Sequence, residues 1–349
     1  MRPVAVVAGV AGVLLFVAAH TTDGRGVQAG TSKNVTVLTG FTDEQVNDTM
    51  FYIRGSLGVQ CEHCHDEKDW SSDVKEAKAT ARRMIRMVRT LNRELGDDQA
   101  VSCYSCHRGQ LRPATTLPLL TERHVAPVTI VTPTPASKAL TADGVLTRFL
   151  TGSGGDAWSR LTSREAKGRL VTSEPAVYPA EVYYKAPDLL RAQIMVDGQP
   201  FTKVFDGTRG WSIDNRGATA THGEELDRLR RQAAFALPLA LPRLYPALSV
   251  EGESVVGGEP VAVLATTSAD RPRERLFFGL KSGLLVRIES STASPLGALP
   301  RRWDYEDYRK VNGVLVPFKV RETDPDYTYL WEFSRIRQNV PVDDRLFRQ

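Results

Sequence analysis

No cysteine of this chain lies outside two pentapeptides, Cys61-Glu62-His63-Cys64-His65 and Cys103-Tyr104-Ser105-Cys106-His107, so none is left over for a separate disulfide. The apolar stretch Val4 to Ala19 has 16 residues and falls short of a bilayer span, which needs about 20. Blocks of like charge are missing too. From Thr31 to Val125 thirteen Lys/Arg are interleaved with thirteen Asp/Glu, so the chain lacks the basic footprint of a nucleic-acid binder. The sequence also shows no Ser-His-Asp arrangement, phosphate loop or run of metal-binding carboxylates.

What is present is one pattern, twice. Each pentapeptide reads Cys-x-x-Cys-His, the attachment signature of c-type haem. Two thiols three residues apart can form thioethers with the two vinyl groups of one porphyrin, and the next histidine then presents its imidazole to the iron. The expected set is two covalently bound haem c groups on Cys61, Cys64, Cys103 and Cys106, with His65 and His107 as proximal iron ligands. Their propionates would offset most of the net charge of +4. The competing readings are a redox disulfide and paired zinc half-sites. Cys64 and Cys103 are 39 positions apart, beyond the spacing of about 15–20 in the compact zinc motif. Neither alternative explains a histidine at the same position after both pairs.

The N-terminus fits an export segment. Met1-Arg2-Pro3 is a short basic start, and Val17-Ala18-Ala19 closes the apolar run with small residues suited to cleavage. Residues 1–29 therefore read as a signal peptide and short leader, with a retained membrane anchor as the alternative, and the mature protein as periplasmic. Residues 30–111 read as a dihaem cytochrome c domain. A linker over 112–139 follows, rich in proline (Pro113, Pro118, Pro127, Pro133, Pro135). Residues 140–349 read as a strand-rich domain.

Within the first domain a helix, a loop and a haem pentapeptide recur. Thr42 and Gln45 have capping-box spacing and open a helix over Asp43 to Leu57, with Val46, Met50, Ile53 and Leu57 on one face. A second helix, Asp73 to Leu95, carries Met84, Met87, Val88 and Leu91 on one face. Met50 precedes Cys61 by 11 positions and Met87 precedes Cys103 by 16. A thioether from either helix could be the sixth iron ligand, which raises the potential of a haem. Periodicity alone leaves open that both methionines pack beside the porphyrin, and that Met84 replaces Met87. Among other residues, His63, His222 and Arg108 read as surface or loop positions, Arg108 with a haem propionate as an alternative partner. His124 is a reserve ligand, and Trp211, Trp303 and Trp331 read as core.

The segment Asn34 to Pro113 resembles the cytochrome subunit of photosynthetic reaction centres, including its two-haem relatives. The matching stretches are Ser56-Leu57-Gly58-Val59-Gln60-Cys61, Ile85-Arg86-Met87-Val88-Arg89-Thr90-Leu91-Asn92, Val101-Ser102-Cys103 and Cys106-His107-Arg108-Gly109. The resemblance implies that Met50 is the distal ligand of the first haem and Met87 that of the second. The full family carries four haems in two pairs, whereas this chain has one pair, so a periplasmic or membrane-bound redox protein other than a chlorophyll pair is an equal candidate partner.

Beyond residue 140 a short helix over Thr141 to Gly155 precedes strands. Hairpins are expected at Asp197-Gly198, Lys281-Ser282-Gly283 and Asn312-Gly313. A helix over Glu224 to Leu237 interrupts the strands, and Tyr327 to Ile336 alternates as a strand. This order resembles the antiparallel β half-barrel of outer-membrane lipoprotein-sorting carriers, which implies an α+β fold and a lipophilic ligand such as a lipid or quinone. The expected protein is a mainly α dihaem cytochrome domain followed by that half-barrel, working as an electron carrier rather than an enzyme. The alternatives are an envelope protein whose β-domain holds a lipophilic ligand, and a haem enzyme or gas sensor with an open iron.

Overall fold

Thr42 opens the first helix as its spacing predicts. Its hydroxyl accepts from Gln45 N at 3.1 Å, and the Gln45 side chain accepts from Thr42 N at 3.0 Å, so two of the orphan donors of the first turn are satisfied reciprocally. The chain is seen in a computed structural model. It describes residues 32–96, 100–113, 140–173, 176–267, 274–325 and 327–349. The expected signal peptide, most of the linker and His124 lie outside the described residues. Two compact units result. The described residues 32–113 belong to one, together with Thr292–Leu299, and those of 140–291 and 300–349 form the other.

In the first unit, α1 (Asp43–Leu57) ends at Gly58, whose φ of 63° reverses the chain. A 3-10 turn, Cys61–His63, holds the first pentapeptide. Helix α2 covers Glu76–Leu95 and ends at Gly96, φ 69°, and α3 is the second pentapeptide itself, Cys103–His107. The expected start of α2 at Asp73 is early by three residues. The Asp73 carboxylate accepts from Arg82 Nη1 and Asn34 Nδ2, both at 2.9 Å, and Lys75 is extended (φ −93°, ψ 121°), so the helix cannot begin before Glu76. The core of this unit gathers Leu38, Ile85, Cys103 and Leu296.

The second unit begins with α4 (Ala142–Ser153), capped by the Thr141 hydroxyl. A 3-10 turn, Gly155–Arg160, leads into the sheet. Six strands follow: β1 Ser163–Thr172, β2 Val177–Lys185, β3 Leu189–Val196, β4 Gln199–Asp206, β5 Gly210–Asp214 and β6 Gly217–Thr221. Helices α5 (Gly223–Ala233) and α6 (Leu237–Leu244) come next. Seven more strands complete it: β7 Leu248–Val256, β8 Glu259–Thr266, β9 Arg275–Gly279, β10 Leu285–Ser294, β11 Gly297–Val311, β12 Val314–Thr323 and β13 Thr328–Gln338. Among the described residues they make one 13-stranded sheet in the order β6-β5-β4-β3-β2-β1-β13-β12-β11-β10-β9-β8-β7. The fold is therefore an open antiparallel sheet with β6 and β7 as edges, and helices packed on it. One core joins Trp158, Leu229 and Phe235 to Ala166, Phe205 and Val316. A second joins Phe149 and Leu241 to Leu264, Leu276 and Phe278.

All three expected hairpins turn where the sequence predicts, with Lys281-Ser282-Gly283 carrying β9 into antiparallel β10. Asp197 and Gly198 (φ 49° and 78°) close Val196 onto Gln199, and Asn312 and Gly313 (φ 50° and 89°) close Val311 onto Val314. Positive φ at both central residues is the hairpin turn that matches strand twist. The single helix expected over Glu224 to Leu237 is instead two. Ala234 leaves the helical region at ψ 99°, and Pro238 starts a new helix because its missing N–H costs nothing in a first turn. Trp211 is buried as expected, and Trp303 and Trp331 are partly buried against the cores.

Helix α5 is tied to β4 by charge. Glu225 accepts from Lys203 Nζ at 2.6 Å and is paired with Arg228. Burial alone would raise the Glu225 carboxyl, but the Lys203, Arg228 and Arg301 charges outweigh it and hold it well below the usual carboxylate range. Its stabilising effect is full above the unfolded carboxyl value and is lost as pH falls through that range. Glu225→Gln is expected to lower stability at pH 7 by about 3 kcal/mol, because it leaves buried cations unpaired. Urea unfolding of both proteins should show the difference shrinking below pH of about 4.

Candidate functional site

Both pentapeptides are wound into a helical turn. In the first, Cys64 N and His65 N donate to Cys61 O at 3.2 and 3.0 Å. In the second, Ser102 and Ser105 cap α3, and Arg108 N donates to Tyr104 O at 3.2 Å. Residues three and four apart on a helical turn share a side, so each turn sets its two thiols and its terminal imidazole toward one side. All four cysteines are free; Cys103 is buried and Cys106 exposed. Burial pushes the Cys64 thiol up and the Cys103 thiol up to about 11. Both are therefore neutral thiols at pH 7, less open to oxidation than thiolates.

The histidines are oriented by one repeated device. His65 Nδ1 lies 2.9 Å from Trp70 O, and His107 Nδ1 lies 3.0 Å from Gln110 O. A carbonyl only accepts, so Nδ1 carries a proton in both rings, and the neutral form of either ring has its lone pair on Nε2. That is the tautomer a metal-bound imidazole needs, with its other nitrogen bonded to a backbone carbonyl. Burial pushes the His65 imidazole down, the Trp70 carbonyl opposes this, and the Lys78, Arg82 and Lys75 charges add to the lowering, which keeps the ring neutral. Paired thiols and a neutral, correctly tautomerised imidazole on one side of a turn are the donor set that a covalently held haem requires. Among the described residues no three His, Cys, Asp or Glu side chains group around a common metal position.

The distal candidates sit differently from each other. Met50 is half-buried against the core of the first unit. Met87 is 46% exposed and shares a stripe of α2 with Met84 and Leu91, at 38% and 43%. The face expected for α2 is split: Val88, at 5%, turns inward with Ile85, at 4%. At 3.6 residues per turn these two lie about a quarter-turn round from the methionine stripe. An exposed apolar stripe of this kind is a surface a flat apolar group can cover. His63 is exposed, His222 is the residue before α5, and Arg108 is exposed at φ 49°.

Three contacts that the sequence did not signal hold the two turns. Asn92 on α2 donates to Val101 O and accepts from Val101 N, both at 2.8 Å, clamping the chain just before Cys103. Gly109 N donates to Ser56 O at 2.8 Å. A Cβ on Gly58 would stand 2.2 Å from Gly109 O. The segment before the first pentapeptide thus lies backbone to backbone against the segment after the second. In the other unit a cleft of about 540 Å³ is bordered by Ser163, Lys185, Pro341 and Asp343.

Residues 13–145 match the family described as photosynthetic reaction centre cytochrome C subunit. The N-terminal part of the chain is thus similar in sequence to that family. Cytochrome c-554 of Chloroflexus aurantiacus is 36% identical over 97 residues, 24% of this chain and 23% of that protein. The photosynthetic reaction center cytochrome c subunit of Roseobacter denitrificans is 32% identical over 93 residues, 24% of this chain and 25% of that one. The chain therefore spans about a quarter of the length of these curated relatives. For the C-terminal part, a LolA superfamily protein from Nitrosomonas europaea is similar with a TM-score of 0.41 and 16% identity, over 60% of this chain and 99% of that one.

Gly58→Ala is expected to destabilise the first unit by about 2–4 kcal/mol, because it joins a left-handed backbone to a backbone clash. A lowered first-unit unfolding temperature, with the sheet unit unfolding as before, is the expected calorimetric result.

Proposed function

We propose that this protein is an exported, two-haem c-type cytochrome that passes single electrons between redox proteins of the periplasm or its bounding membrane. Cys61 and Cys64 hold the first haem with His65 as proximal ligand, and Cys103 and Cys106 hold the second with His107. The observation that carries this reading is the repeated Nδ1-to-carbonyl bond, at 2.9 and 3.0 Å, on the histidine that ends each pentapeptide. Met50 and Met87 are the sixth ligands, consistent with the place of Met87 on the exposed stripe of α2.

In such a protein the haem iron supplies a reversible one-electron couple. The chain supplies ligation, orientation and exclusion of competing chemistry. The thiols fix position, and the carbonyls of Trp70 and Gln110 stop each imidazole from turning. With Met50 and Met87 holding the sixth positions, the haems would have a high potential and no place for an exogenous ligand, which suits a carrier rather than an enzyme or gas sensor. Among the described residues no helix is long and apolar enough to cross a membrane.

The test is expression alongside a haem-attachment system, followed by haem counting and an optical redox titration. Two haems per chain and two reversible one-electron steps at positive potential are expected. Met50→Ala and Met87→Ala should each lower one midpoint while leaving haem attached. A high-spin iron that binds carbon monoxide in the unmutated protein would remove the methionine assignments and the carrier role with them.

A further inference from the structure

The two proximal histidines use the same device in different electrostatic surroundings. At the first site the accepting oxygen is shared. Lys78, in the first turn of α2 and 9% exposed, donates its ammonium to Trp70 O at 3.0 Å and to Ser72 O at 2.9 Å. Trp70 O is the atom that accepts from His65 Nδ1 at 2.9 Å. Two donors, one of them a full positive charge, therefore converge on one carbonyl. At the second site Gln110 O accepts from His107 Nδ1 at 3.0 Å, and among the described residues no side chain joins it. Gln110 N turns back to His107 O at 2.9 Å instead.

The shared carbonyl has consequences for charge at the iron. A carbonyl that already accepts from an ammonium draws less on the imidazole N–H, so the ring gives up less electron density to the metal. The ammonium also adds a positive charge one hydrogen bond beyond the ring. Each effect disfavours the ferric state, which carries one more positive charge than the ferrous. Because Lys78 is nearly buried, solvent screens it weakly. Its counter-charge is less well placed: Asp73 Oδ1 is 3.6 Å from Lys78 Nζ, its side chain is 53% exposed, and it also pairs with Arg82 at 2.9 Å. Lys75, which donates to Glu62 O, adds a further cation beside the first pentapeptide.

We propose that Lys78 is a positioning residue that selectively raises the reduction potential of the first haem through the carbonyl it shares with His65. An electron held between the two haems is thereby drawn toward the first. The step is one electron gained by ferric iron from a reduced partner protein or from the other haem. No bond is made or broken, and no proton is transferred. The inference rests on the two-haem reading above and names what distinguishes the two sites within it.

The experiment is a spectroelectrochemical titration of the full-length, haem-loaded protein and its Lys78→Met and Lys78→Arg variants, with haem counted in each. Lys78→Met should lower one midpoint, by about tenfold in the reduction equilibrium or about 59 mV for a one-electron couple. The other midpoint should stay fixed, and Lys78→Arg should restore most of the difference. Replacing Cys61 and Cys64 together by Ala leaves the second haem alone, and there Lys78→Met should have no effect. Unchanged midpoints, or both midpoints moving alike, would overturn the proposal with two haems still counted. Fewer than two haems in the unmutated protein would instead overturn the reading it rests on. If Lys78→Met loses haem, Asp73→Asn supplies the opposite sign: removing the counter-charge should raise the same midpoint, and no shift counts against Lys78.

Discussion

A histidine can serve as an axial ligand only if its ring is fixed and the right nitrogen is bare. Here each ring is fixed by a single hydrogen bond, from Nδ1 to a backbone carbonyl, which leaves Nε2 as the nitrogen outside that bond. The rest of the first unit can be understood as what keeps those carbonyls in place. Trp70 O is held from the far side by Lys78, and Gln110 O belongs to a tight turn closed onto His107. The side chains do the chemistry, but the orientation is imposed by the main chain, which cannot drift without unwinding a turn.

The same economy joins the two sites. Gly58 ends α1 in the left-handed region and lets the Gly109 backbone approach to a distance no other residue allows. Asn92 reaches from α2 to fix Val101 through both its polar groups. The second pentapeptide is therefore fastened, through the residues on either side of it, to the helix of the other repeat as well as to its own, and the approach of the two pentapeptide segments is set by backbone contact.

Much of this was legible from local pattern. The capping box at Thr42 and Gln45 set α1, and Asp-Gly and Asn-Gly placed two hairpins, because each is a short-range signal with one geometric solution. The errors came where a distant group intervened. Asp73 reads as a helix start, but its carboxylate is engaged by Asn34 and Arg82. The apolar face of α2 reads as one stripe, but the core takes Ile85 and Val88 and leaves Met84, Met87 and Leu91 outside it. Nothing within a few residues of Lys78 announces that its ammonium shares a carbonyl with a histidine 13 positions earlier. The fastening of Gly58 to Gly109 spans 51 positions and carries no sequence signature beyond a glycine at each end.

Leu296 closes the core around Cys103 and Ile85, yet it lies 189 residues after His107. A chain made from its N-terminus presents both cysteine pairs long before that leucine exists. The core behind Cys103 is therefore still unfinished, and open to solvent, when both cysteine pairs have already been made. The turn between β10 and β11 thus acts as a late-made seal on a core laid down near the start of the chain.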